Sequence, residues 1–210
     1  MTEHRTMNTI IHAAFRRDLS RFDDALATFP SGSQTRANDL KRAWDWFDSE
    51  VRHHHKYEEE VFWPALRRTD ADLSSVAELD EEHHQMRGAL DTATSTMEAL
   101  HNHPTALSAD AARKALASFS DVLLGHLEHE ERDLEPINAA YQDAPPMQTA
   151  AKKVVRAQRG RLGNILAWLQ DGADADARRA LRRQIPAPVV VVVTALAGRR
   201  YRRDVASVWA

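Results

Sequence analysis

Four stretches of this chain set apolar residues at alternating steps of three and four, and that spacing commits most of the sequence to amphipathic helices. The first runs through Phe15, Leu19, Phe22, Leu26 and Phe29. The second runs through Trp44, Phe47, Val51 and Val61, and the third through Val76, Leu79, Met86, Leu90, Ala93 and Met97. The fourth runs through Leu116, Phe119, Leu123, Leu134, Ile137 and Tyr141. Breakers follow the first, third and fourth stretches, in FPSGS, HNHPT and DAPP. Long amphipathic helices joined by short breaks predict an all-α, up-down-up-down four-helix bundle. With only 7 Gly and an excess of Ala, Leu, Arg, Glu and Asp, the composition also favours helix over sheet.

Each stripe is interrupted by polar residues where the period calls for apolar ones. These are His12, His54, Glu58, His83, His126 and Glu130. Residues four apart share a helix face, so His54 with Glu58, and His126 with Glu130, point the same way. Burying so many polar groups is costly unless something satisfies them. One inward histidine is ordinarily just a hydrogen-bonded core residue. Here the pattern recurs in both halves: a histidine, then HxxxE, then a proline ten residues after the second histidine, at Pro64 and Pro136. Four imidazoles and two carboxylates converging in a bundle core suit a pair of transition-metal ions.

The chain thereby resembles the hemerythrin-like proteins of the HHE cation-binding family, whose pattern is a His on helix one, HxxxE on helix two, a His on helix three and HxxxE on helix four. The resemblance covers about residues 5–142. It implies a bundle holding a non-haem di-iron centre, two iron ions bridged by oxo or hydroxo, with His12, His54, Glu58, His83, His126 and Glu130 as ligands. The oxygen-carrying members have a second helix-three histidine four residues from the first. Here the flanking positions are Leu79 and Arg87, and Glu130 stands where those members have Asp. With both glutamates bridging, each iron keeps one open position. The expected ligands are therefore hydrogen peroxide, dioxygen and nitric oxide, and the expected chemistry is catalase-like or peroxidase-like peroxide decomposition. No catalytic side chain is assigned. A non-catalytic module that binds or senses oxygen, nitric oxide or iron is the alternative, and a bundle with adventitious zinc a third reading.

Neighbouring residues compete for these roles. His84 matches the spacing of the first half, but His83 lies on the apolar stripe, and phase favours His83. His53 and His55 flank their stripe and are expected in solvent or behind the ligands. Glu59, Glu60 and Glu131 are expected to face water. Tyr57 and His129 each precede a ligand glutamate and could hydrogen-bond the site. Glu50 with His53, and Glu81 with His84, have ferritin-like E-x-x-H spacing. They fall on adjacent helices and off phase, which rejects a ferritin-like site.

The chain has no cysteine, which excludes disulfides, thiolate metal sites and a cysteine nucleophile. Charge divides it. Residues 1–150 hold 15 basic and 27 acidic residues, whereas residues 151–210 hold 13 and 4. The expected organisation is a metal-binding bundle over 1–144 and a basic helical extension over 145–210 that docks on the acidic bundle and binds no nucleic acid. In the extension, LGNILAWLQDG reads as a helix end stopped by Gly172, DADARRALRRQ as a short charged helix, and the run after Pro188 as a helix packed on the bundle. No apolar run is long enough to span a bilayer, no signal peptide is evident, and a cytoplasmic protein is expected.

Overall fold

The computed structural model describes residues 6–209, which contain helices and no strand. Four long helices form the body: α1 (Met7–Ala27), α2 (Gln34–Tyr57), α4 (Val76–Asn102) and α5 (Ala106–Asp133), with the short α3 (Trp63–Leu66) continuing α2. They pack as a ring in which α1 meets α2 and α5, and α4 meets α2 and α5. Capping sets where three of them begin. Thr6, Ser33 and Thr105 each accept a hydrogen bond from the backbone amide three residues on, which satisfies one otherwise orphaned donor. Gly32, at φ 86°, makes the turn into α2 that residues with a Cβ rarely adopt.

Both prolines of the repeated motif disturb their helices. Pro64 has no N–H to give to the carbonyl of Glu60, and Glu58–Phe62 widens to a π-helical turn in which the Trp63 amide reaches back to Glu58. In the matching place, α5 stops at Asp133 and α6 (Glu135–Tyr141) starts with Pro136 in its first turn. The fourth stripe is therefore two helices, not one.

The core has two apolar parts. The larger is centred on Phe15, Phe22, Trp44, Phe47 and Phe119, whose rings meet edge-on or tilted at 5.2–6.2 Å. The smaller gathers Val61, Trp63, Leu66, Val76, Leu79 and Leu134 with Met147 of α7 (Pro145–Ala157).

Beyond α7 follow α8 (Leu162–Gln170), α9 (Ala175–Gln184), α10 (Ala187–Ala197), α11 (Arg199–Asp204) and a final 3-10 turn at Ala206–Trp209. Gly172, at φ 66°, stops α8 as its position suggested. Leu166, Trp168, Leu181, Tyr201 and Val208 are continuous with the larger core. Contact with the bundle is chiefly apolar, not the attraction of opposite net charges. Arg161 pairs with Glu50 on α2, but Arg21 on α1 pairs with Asp171, and Trp168 Nε1 donates to Asp18 at 2.6 Å. The Val-rich α10 rests mainly on α8. A Cβ on Gly163 would lie 2.4 Å from that of Ala197, so the two helices cross with backbones nearly touching.

Candidate metal centre

The six histidine and glutamate residues that interrupt the stripes converge between the two apolar parts, and a seventh joins them. His12, His54, Glu58 and Glu130 form one group whose donor atoms lie within 4.8 Å of one another. His55, Glu58, His83 and His126 form a second on the same criterion. Glu58 belongs to both. Its Oε1 lies 3.2 Å from His54 Nε2, and its Oε2 lies 3.6 Å from His83 Nε2. His12 and His54 approach Nε2 to Nε2 at 3.1 Å, as do His83 and His126. Two nitrogens bound at about 2.1 Å and at right angles on one ion would be roughly 3 Å apart.

The outer nitrogens are held from behind. Nδ1 of His12 lies 2.8 Å from Glu131, that of His83 lies 2.8 Å from Glu59, and that of His126 lies 2.9 Å from Glu82. A carboxylate only accepts, so each imidazole donates from Nδ1 and, when neutral, turns a bare Nε2 lone pair inward. Arg16 and Arg87 steady Glu131 and Glu59 in turn. Asn8 donates to Glu130 at 2.9 Å and also reaches Glu135. Trp63 stacks on His83 at 4.9 Å, and Phe15 meets His54 edge-on at 5.4 Å, keeping both faces of the site apolar.

The electrostatics are those of a site that wants cations. Both oxygens of Glu58, Glu130 Oε2 and His55 Nε2 are buried without a hydrogen-bond partner. Burial, reinforced by the charge of Glu130, pushes the Glu58 carboxyl well above its ordinary range. Burial alone would also raise Glu130, but His12 outweighs it and holds that carboxyl low. Burial opposes a charge on His12, yet Glu130 and Glu131 prevail and raise it to about 9. His54 and His55 are pushed well below 6.5 by burial and by the other imidazoles, and His83 falls to about 3 through burial and His126. Neutral imidazoles beside carboxylates are the donors that transition-metal ions require. Each of the two groups fits such an ion, and Glu58 is common to both.

A cavity of about 280 Å³ opens between α2 and α4 and reaches His55 and His83. Val51, Met86 and Leu90 line it, and Arg52, Lys56 and Arg87 stand around it.

The structure places several residues differently from their sequence expectation. His55, expected outside the ligand group, is buried in the second group. Glu59 and Glu131, expected to face water, brace His83 and His12, whereas Glu60 is exposed as expected. His83 is buried in the site and His84 is exposed beside Arg87. His53 sits near Arg161, and Glu50, off the expected phase, is buried against Arg161. His129 acts one step back, sharing Glu82 with His126, and Tyr57 makes no side-chain hydrogen bond among the described residues. Asn8, Glu82 and Glu135 escaped the sequence reading because polar residues at stripe margins carry no periodic signal.

No curated protein and no solved structure matches the chain. The family model of the hemerythrin HHE cation-binding domain matches residues 2–138, and again, overlapping, residues 76–186. The first match alone covers well over half of the sequence and contains every residue of both ligand groups. With the fold, the donor set and this match in agreement, the chain belongs to the hemerythrin HHE cation-binding domain family.

Proposed function

We propose that the centre holds two iron ions and that the protein decomposes hydrogen peroxide, with dioxygen and nitric oxide as related ligands. The observation that carries this reading is the carboxylate of Glu58, whose two oxygens face His54 on one side and His83 on the other. Each group supplies four protein donors. Four donors leave an ion that favours six ligands room for a small exogenous one. Mixed imidazole and carboxylate donors without thiolate suit iron among redox metals. Bound iron would supply electron exchange and make oxygen ligands more acidic.

The chain's own work is positioning and exclusion. Glu59, Glu82 and Glu131 fix three imidazoles with Nε2 inward. Trp63, Phe15 and Leu79 keep bulk water from the site. The cavity beside His55 and His83 gives a small molecule a way to the second group. Disproportionation suits such a site, because two peroxide molecules yield water and oxygen with no further reductant.

An oxygen electrode tests the proposal. Iron-loaded protein should evolve oxygen from peroxide, and Glu58→Ala should abolish the activity together with iron occupancy, while His53→Ala leaves both near wild type. A reversible oxygen or nitric oxide adduct without peroxide consumption would assign a binding or sensing role instead.

A further inference from the structure

The outward face of α10 has no role in the metal centre or in the core. Val189, Val191, Val192 and Leu196 are 43%, 60%, 52% and 70% exposed. Only Val190 of this helix is buried. Five successive valines are poor helix formers in water, so the outer ones cost helix propensity without adding to the core. No charged residue occurs from Gln184 to Gly198, yet Arg182 and Arg183 precede this span and Arg199, Arg200, Arg202 and Arg203 follow it. Arg202 donates to the carbonyls of Thr194 and Ala195, which fixes a cation at the end of α10 next to Leu196. The side chains of Arg182, Arg183 and Arg199 make no ion pair or hydrogen bond among the described residues.

We infer that α10 docks the protein on an anionic lipid surface, its valines and Leu196 entering the headgroup boundary and the flanking arginines meeting lipid phosphates and carboxylates. Charge selects this occupant. A second copy packed face to face would set one arginine cluster against another, whereas an anionic bilayer satisfies both the apolar face and its cationic ends. Length fixes the mode. Eleven residues extend about 16 Å, roughly half of a bilayer's hydrocarbon thickness, so the helix lies on the membrane and does not cross it. No single helix among the described residues is long and apolar enough to cross one.

Flotation of the full chain with vesicles tests this, comparing phosphatidylcholine alone with an equal mixture of phosphatidylcholine and phosphatidylglycerol. The protein should float with the mixed vesicles only, and high salt should weaken the association. The pair Val191→Asp with Val192→Asp, and separately Arg199→Glu with Arg200→Glu, should each reduce binding by at least about tenfold. Circular dichroism and bound metal should stay at wild-type levels in both variants. No flotation with either vesicle would overturn the inference, as would equal flotation with both or flotation indifferent to the paired substitutions. A concentration-dependent dimer dispersed by the valine substitutions, with no vesicle binding, would assign the face to a second copy and overturn it too.

Discussion

Glu59 Oε1 stands 2.8 Å from Nδ1 of His83 and 2.8 Å from Nη1 of Arg87, so a half-buried carboxylate couples a surface arginine to an imidazole inside the metal centre. The pairing fixes both the tautomer and the direction of His83. Glu59→Gln should lower metal affinity about tenfold to a hundredfold, read by competition with a chromophoric chelator. Glu60→Gln, one residue on and exposed, should leave it unchanged.

His55 and His84 form a second contrast. His55 is buried within the group formed with Glu58, His83 and His126, whereas His84 lies outside it and is exposed. His55→Ala should reduce metal occupancy and change the visible absorbance of the loaded protein. His84→Ala should do neither. Equal spectra for His55→Ala and wild type would remove His55 from the ligand set.

Above about pH 6.5 the metal-free protein should lose stability as pH rises, whereas below it the depressed His54, His55 and His83 act in the opposite sense. His12 is raised from 6.5 to about 9 and Glu58 is raised well above 4.5, so the folded chain binds protons that the unfolded chain gives up. The His12 contribution is complete below about pH 6.5 and fades as pH climbs through about 9. Metal must displace that proton, so metal affinity should rise over the same interval. Thermal unfolding of chelator-treated protein checks the first trend, and chelator competition against pH checks the second.

Gly163→Val should destabilise the protein by about 1–3 kcal/mol, because even the first side-chain carbon would meet the backbone of Ala197 at 2.6–2.9 Å. Gly88→Ala is the control. It is an exposed helical position with nothing within 4 Å, and it should gain about 0.5–1 kcal/mol. Denaturant titration measures both.

The bundle and six of the seven clustered donors could be read from the sequence because each sits on an apolar stripe, where a polar residue stands out. His55 could not. A uniform α-helix turns it about 100° from His54, yet burial between α2 and α4 brings both imidazoles into the centre. The π-helical turn that begins at Glu58 is likewise invisible to a search for a 3.6-residue period, although Pro64 is its local cause. The bracing carboxylates were missed for another reason. Glu59, Glu82 and Glu131 lie at the margins of their stripes, where charge usually signals solvent. In the extension, net charge suggested electrostatic docking, but Trp168 and Tyr201 make the contact and most arginines stay outside.

Elemental analysis of protein saturated with ferrous iron and then freed of excess metal addresses the central claim most directly. Two four-donor groups that share Glu58 predict two iron ions per chain in the wild type and loss of both in Glu58→Ala. One ion or fewer per wild-type chain at saturation, or uptake of zinc alone, would contradict the account.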